Sequence, residues 1–461
     1  MAVFTLQEVL AATNAVLVGP ALQTSFAGVS TDTRTLRPGD LFIALSGERF
    51  DGHRFLQQAA AAGAAALLIS KVDADLPVGI TIFSVADTLQ AFQGLAKFHR
   101  RRYTIPVVAI TGSNGKTTTK ELTASVLSSR WHVLKTEANF NNEIGLPKTL
   151  LSLTDGHQAA VVEMGMRGLG QIKALCSVAE PTVGIITNVS ETHMELLGSI
   201  ENIARAKSEL VEAIPASGLA VLNADNPHVL RMREQAVCRV VTYGLSSQAD
   251  VWADQIQTGQ QETNFICHAR QDVFAVGLPA IGRHNIYNAL AAIAVGLAMG
   301  LTPQEIQVGI RGFVPDAMRL HTITTADYTI LNDTYNASPA SMAAAIDTLV
   351  SVAAGRRVVV LGDMLELGAV AVDAHRQIGE KLAREQIAVV ITVGELAQHI
   401  AAAAKDGGVA DAVACADHAA AKQELNKLLE PGDTILVKGS RGMKMEEIVN
   451  YLIGSNAETK V

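Results

Sequence analysis

A chain of 461 residues is too long for one hydrophobic core and comfortable for two to four domains. Its residues are 49% apolar but only 4% aromatic, which suits parallel sheets under alanine-rich helices better than an all-β sandwich. A net charge of −8 argues against nucleic acid as the main partner but leaves anionic small molecules open, because these need only a local pocket.

Cys176, Cys238, Cys267 and Cys415 are scattered, with no C-x-x-C pair or His-rich spacing, and read as reduced cytosolic thiols. The start, MAVFTLQEVLAATN, lacks a basic leader and carries Glu8, so it makes a poor signal peptide. The longest apolar run, ALAAIAVGLAMGL at 289–301, falls short of the ~20 residues that cross a bilayer and reads as a buried helix. A soluble, cytoplasmic protein without membrane insertion is expected.

In chain order, residues 1–84 hold short elements: a helix in TLQEVLAAT, turns in GVSTDTRTLRPGD, a strand in LFIAL, then helix and strand in FLQQAAAAGAAALLIS. Over 85–314 strands alternate with helices, and IPVVAIT, QAAVVEMG and TVGIITNVS read as parallel strands ending in polar residues. Residues 251–279 alternate more weakly and read as antiparallel. After 315 the rhythm resumes in YTILNDTYN, RRVVVLGDM, IAVVITVG and DTILVKGS, each followed by a helical stretch. The expected architecture is α/β in three domains, 1–84, 85–314 and 315–461, with a central parallel-sheet P-loop domain and a C-terminal Rossmann-like doubly wound domain. The tail GSNAETKV is polar and reads as frayed.

The stretch VVAITGSNGKTTTKELTASVL (107–127) has Ile110 where the usual G-x-x-x-x-G-K-[ST] loop has its first glycine. Ile110 belongs to the strand, so the loop is simply shorter. Gly112 and Gly115 permit the turn, and the helix that follows points free N–H groups and a positive dipole end at the loop. Lys116 suits the outer phosphates of a nucleotide, and the Thr117 hydroxyl suits Mg²⁺. Glu163 ends a neighbouring strand, where a carboxylate could hold Mg²⁺, although spacing alone fits an exposed acid as well. On spacing alone, Lys207 is a solvated helix lysine and His193 a surface or core histidine. Asn285 and Asn288 share one helix face, and Asn near a helix start is often only a cap.

The motif TGSNGKT resembles the loop T-G-[ST]-[NS]-G-K-[TS] of the Mur ligase family, and the likeness extends over nearly the whole chain. TEANFNNEIGLP (136–147), LGDMLELG (361–368) and VKGSRGMKMEE (437–447) match the branch that adds D-alanyl-D-alanine to UDP-N-acetylmuramoyl-tripeptide in peptidoglycan precursor synthesis. The resemblance implies an ATP- and Mg²⁺-dependent amide ligase working through an acyl phosphate, and a monomer suits the family. It implies that Thr111, Gly112, Ser113, Asn114, Gly115, Lys116, Thr117 and Thr118 hold the phosphates. His284, Asn285 and Asn288 would lie near the adenine, with Asp333 on the ribose or elsewhere on ATP. Thr117, Glu163 and His193 would bind metal, as would Lys207 if carbamylated as in related ligases. Arg319 would meet the phosphates once the domains close, near a hinge at 314. Lys116, Glu163, His193, Lys207 and Arg319 are thus the catalytic candidates.

The segment STDTRTLRPGDLFIALSGERFDGHRF (30–55) carries the N-terminal likeness. Ser30, Thr31, Arg34, Arg49, Asp51 and His53, with Phe42 as an apolar wall, suit a uridine diphosphate; a polar surface loop is the other reading, and RPGD is a turn signal. Asn139, Asn141 and Asn142 are expected on the peptidyl sugar, and Tyr335, Asn336 and Ser338 on the dipeptide. Three positions depart from the family pattern: Asn332 for a frequent Asp, and Ala317 and Ala138 for frequent glycines. Rival readings are a Mur-type ligase adding a single amino acid and folylpolyglutamate synthase. A GTP-dependent switch or binding module would show N-K-x-D, whereas Asn426-Lys427 continues Leu-Leu.

Overall fold

The computed structural model describes residues 2–47, 50–72, 75–192, 194–270 and 272–455. The expectations for Arg49, His193 and the tail at 456–461 therefore lie outside the described residues. Three sheets organise the chain. The central one has nine strands, in the spatial order Val133–Lys135, Ala159–Glu163, Val107–Thr111, Val183–Ile186, Leu219–Asn223, Arg239–Gly244, Val251–Thr258, Thr263–Ala269 and Asp272–Leu278. The first seven pair in parallel, and the last two add as antiparallel hairpins over the segment whose alternation was weak.

Val107–Thr111 is buried throughout because both faces of its sheet are covered. Alternate side chains go to opposite faces. Val108 and Ile110 meet Leu122 and Val126 of the helix Lys116–Ser128 and Ala289 and Ile293 of the helix Arg283–Ala298. Val107 and Ala109 share the other core with Ile172, Leu175, Ile203 and Leu210. That second core continues through Phe92 and Leu95 of the helix Thr88–Arg100 to Phe4, Phe26, Leu41 and Phe83. The N-terminal sheet (Val16–Leu17, Thr81–Ser84, Ala66–Ile69, Asp40–Ile43, Gly28–Ser30) is thereby joined to the central one by continuous apolar packing.

The third sheet runs His321–Thr324, Thr329–Asp333, Thr434–Lys438, Arg357–Gly362, Val389–Val393 and Asp411–Cys415. It is parallel apart from the antiparallel first edge strand, and cores lie on both its faces. Among the described residues no helix is long and apolar enough to cross a membrane.

The helix Lys116–Ser128 is braced by the helix Pro303–Arg311, which crosses it at Gly309. A Cβ added at Gly309 would lie 2.4 Å from Val126 Cα, a backbone atom that cannot step aside. Gly309→Ala should therefore force the two helices apart and cost about 1–3 kcal/mol. Equilibrium denaturation measures this, and an unchanged midpoint would contradict the packing described.

Candidate active site

Three parallel strands, ending at Thr111, Glu163 and Ile186, deliver their C-terminal ends to one side of the central sheet, where doubly wound folds place ligands. Thr111 does not itself face the resulting cavity: its hydroxyl donates to the Met164 carbonyl at 2.8 Å and joins two strand ends. The next four residues turn tightly. Gly115 has φ +81°, and a Cβ there would lie 2.5 Å from Asn288 Oδ1. A Cβ at Gly112 would lie 1.8 Å from Thr187 Oγ1. Asn188 then clasps the turn, accepting from Asn114 N at 3.0 Å and donating through its amide to the Asn114 carbonyl at 3.0 Å. Ser113 Oγ donates to the Ser190 carbonyl at 3.0 Å. The helix N-terminus behind this turn leaves N–H groups facing a cavity of ≈ 530 Å³.

Residues 113–118 line that cavity, with Glu163, Asn139 and Asn141, and with His284, Asn285 and Asn288 from the helix Arg283–Ala298. Lys116 Nζ folds back onto the carbonyls of Gly112 (2.8 Å) and Ser113 (3.2 Å). Burial lowers its basicity, and the nearby Glu163 works against that shift. Glu163 is 2% exposed; its Oε1 accepts from Asn141 Nδ2 at 2.7 Å, while Oε2 is buried with no hydrogen-bond partner. Lys207 is not the solvated lysine that spacing alone suggests. It is 2% exposed on the helix Ile200–Ala213, and burial, with Lys116 adding to it, pushes its amine well below the usual lysine range. It is not among the residues that line the cavity, and Lys116 is the charged neighbour that acts on it.

Asn285 and Asn288 are tied into the fold as well as facing the cavity. Asn285 donates to the Ile281 carbonyl at 2.8 Å, Asn288 donates to Asn285 at 3.0 Å, and Thr119 donates to Asn288 at 3.1 Å. His284 is pushed down by burial, and its Nδ1 has no partner.

The third sheet supplies the opposite wall. Arg319 donates to Thr117 Oγ1 at 3.0 Å, and its guanidinium lies 3.9 Å from the Tyr335 ring centroid. Asp333 Oδ2 accepts from Lys438 Nζ at 2.6 Å, and the same amine donates to the Asn336 carbonyl at 2.8 Å. Ser338 is a helix cap rather than a free wall residue; it caps Pro339–Val352 and donates to Asn114 Oδ1 at 3.1 Å, so two regions meet at the loop itself. The departures at 332 and 317 meet each other, the Asn332 amide donating to the Ala317 carbonyl at 2.7 Å. Lys438 is the residue the sequence reading missed. It ends an apolar strand paired in register with the one ending at Asp333, and that was the available signal. Tyr287 and Asn226 line the cavity without any motif to mark them.

Other candidates lie elsewhere. Asn142 Oδ1 accepts from Gly145 N at 2.8 Å and starts the next helix, away from the cavity wall. Ala138 adopts φ +46°, the left-handed conformation a glycine would hold more cheaply. None of the described N-terminal candidates lines the central cavity. Phe42 is 2% exposed and packs with Leu56, Leu67 and Ile69, so it is a core residue and offers no wall to a base. Asp51 Oδ1 binds His53 Nδ1 at 2.7 Å and its Oδ2 accepts from Lys71 at 2.6 Å, which hold its carboxyl well below the usual range. The half-buried Thr31 and the Ser30 and Arg34 beside it form a tight turn in which Arg34 holds Asp32 down at about 2, and Lys148, on the far side of 136–147, also acts on that carboxyl.

Residues 25–100, 110–296 and 318–441 match the family profiles "Mur ligase family, catalytic domain", "Mur ligase middle domain" and "Mur ligase, glutamate ligase domain". The UDP-N-acetylmuramoyl-tripeptide–D-alanyl-D-alanine ligases of Bacillus subtilis and Escherichia coli are 40% and 41% identical to the chain. The alignments cover 94% and 92% of the chain and 94% and 93% of those proteins. The chain belongs to the Mur ligase family. A crystal structure of MurF from Acinetobacter baumannii, 33% identical, superposes with a TM-score of 0.91 over 98% of this Mur ligase and 99% of that chain. MurF of Thermotoga maritima in complex with ADP gives 0.85 at 26% identity, over 94% and 98%. Folylpolyglutamate synthase of Mycobacterium tuberculosis, at 18% identity and 0.63 over 79% and 94%, shares the fold alone.

Gly115→Ala tests the loop geometry. Positive φ and the Asn288 contact together should weaken ADP binding by about tenfold or more. Calorimetric titration reads this directly, and an unaltered affinity would show that the turn does not shape the site.

Proposed function

We propose that this Mur ligase joins D-alanyl-D-alanine to UDP-N-acetylmuramoyl-tripeptide at the expense of ATP, in cytoplasmic peptidoglycan precursor synthesis. The observation that carries the chemistry is one cavity in which a phosphate-type loop, a carboxylate with an unsatisfied oxygen and cations from two sheets converge. The choice of acceptor rests on full-length likeness to the D-alanyl-D-alanine ligases. In this reading residues 1–84 receive the UDP-sugar-peptide, 85–314 bind ATP, and 315–461 bring the dipeptide and further nucleotide contacts.

Mg²⁺ is a hard cation that takes oxygen ligands, and the buried free Oε2 of Glu163 with the Thr117 hydroxyl fits it. Bound there, it would offset charge on the transferring phosphoryl group. The protein's own groups do the rest. Lys116 exchanges the Gly112 and Ser113 carbonyls for phosphate oxygens. The N–H groups of 115–118, at the start of the helix, orient the triphosphate, and Arg319 reaches the phosphates from the third sheet. The peptide carboxylate attacks the γ-phosphorus, ADP departs, and an acyl phosphate remains. The dipeptide amine then attacks the acyl carbon, and phosphate leaves from a tetrahedral intermediate. The charge shifts in both steps are met by groups already in place, and no side-chain nucleophile is required.

The depressed basicity of Lys207 favours the neutral amine, the form that reacts with CO₂ to give a carbamate. We include such a carbamate in the metal-binding set. Lys207→Ala should lose ligation, bicarbonate should not restore it, and short carboxylic acids should. Unchanged turnover would end that part of the reading.

Product mass analysis tests the whole. ATP, Mg²⁺, UDP-N-acetylmuramoyl-tripeptide and D-alanyl-D-alanine should give one product equal to both substrates less water. ATP turnover stimulated by a single amino acid and not by the dipeptide would overturn the proposal.

A further inference from the structure

The helix that carries Lys116 holds a second lysine one turn on, and the chemistry above does not use it. Lys120 is 1% exposed, on the same helix face as Lys116 by i, i+4 spacing. Lysine is almost never buried so completely unless its charge is paired. Here Nζ donates to the Thr136 carbonyl at 2.8 Å and pairs with Glu121 Oε1 at 2.9 Å. Glu121 is in turn held by Lys135, on the strand Val133–Lys135 that leads directly into Thr136. Three charges therefore fasten the end of that strand to the nucleotide helix.

Thr136 is itself a junction. Its N–H donates to the Val161 carbonyl at 3.0 Å, and its Oγ1 accepts from the backbone N–H of Glu163 at 3.1 Å. Five residues later Asn141 donates to Glu163 Oε1 and accepts from Gly165 N through its carbonyl. The segment 136–141, with Ala138 at φ +46°, thus begins and ends on Glu163. Its start also receives the Lys120 ammonium, on the Thr136 carbonyl.

We propose that Lys120 is a positioning residue that couples the nucleotide helix to Glu163 and to the substrate-side loop 136–141 through the Thr136 carbonyl. The inference rests on the functional reading above and takes Asn139 and Asn141 of that loop, which line the cavity, to meet the UDP-linked peptide there. A methionine at 120 keeps the length and removes the charge. The Thr136 carbonyl is then left unsatisfied in the interior, and the loop is free to shift relative to Glu163. Residues 112–118 keep their own clasp from Thr187, Asn188 and Asn288, so nucleotide affinity should stay put.

The test uses the full-length enzyme, with steady-state kinetics and ADP titration in the absence of Mg²⁺. Lys120→Met should raise KM for UDP-N-acetylmuramoyl-tripeptide by about tenfold or more, leave ADP affinity within about twofold, and raise the Mg²⁺ concentration for half-maximal rate. Lys120→Arg should recover part of the peptide KM. Thr136→Val, which keeps the shape but removes the acceptor for Glu163 N, should show the same one-sided loss, and it decides the matter should Lys120→Met not fold. Equal losses in ADP affinity and peptide KM, or a lower melting temperature with both unchanged, would overturn the proposal. Failure of the wider functional reading looks different, because the unmodified enzyme would then not ligate the dipeptide at all.

Discussion

The close approach of two glycines to their neighbours is the constraint on which the rest of the site depends. Gly112 leaves no room for a Cβ beside Thr187, and Gly115 leaves none beside Asn288. One neighbour directly follows an adjacent parallel strand, and the other sits on a helix 169 residues beyond its hydrogen-bond partner Thr119. The loop is therefore moulded by long-range packing as much as by its own residues. This explains how it dispenses with the glycine that the longer phosphate loop uses: Ile110 stays in the core of the sheet, and Asn188 supplies the clasp from outside.

Charge is arranged against the protein's overall sign. The chain carries −8, yet Lys116 and Arg319 share the cavity with one buried acid, Glu163, Lys116 also acts on Lys207 in the interior, and Lys438 holds Asp333 on the far wall. Burial is the main cause that lowers the basicity of Lys116 and Lys207, and a neighbouring cation adds to it in each case, Arg319 for Lys116 and Lys116 for Lys207. The bond from Arg319 to Thr117 already ties the third sheet to the loop-bearing helix.

Much of this was legible in the sequence because strand ends and glycine turns are local signals. The strand 107–111, its loop and the acid at 163 announce themselves by apolar runs broken abruptly by polar residues. Polar residues whose partners are distant in the chain were harder. Asn142 and Ser338 look like ligands in a motif, but both spend their oxygens on helix starts. Phe42 looks like a wall beside hydroxyls, but its strand lies between two others and both its faces are covered. Lys120 and Lys207 sit on helices among other charges, and only the fold shows that they are buried. The short strands Val133–Lys135, Leu219–Asn223 and Arg239–Gly244 carry little periodicity of their own and are fixed by their neighbours.

In the proposed reaction this cavity activates a substrate acid by moving a phosphoryl group onto it. UDP-N-acetylmuramoyl-tripeptide labelled with ¹⁸O in its terminal carboxylate reads this most directly, through the isotope content of the phosphate released during ligation. An acyl phosphate, whose bridging oxygen leaves with phosphorus, predicts one labelled oxygen in each phosphate formed with product. Phosphate free of label, with ligation proceeding normally, would contradict it.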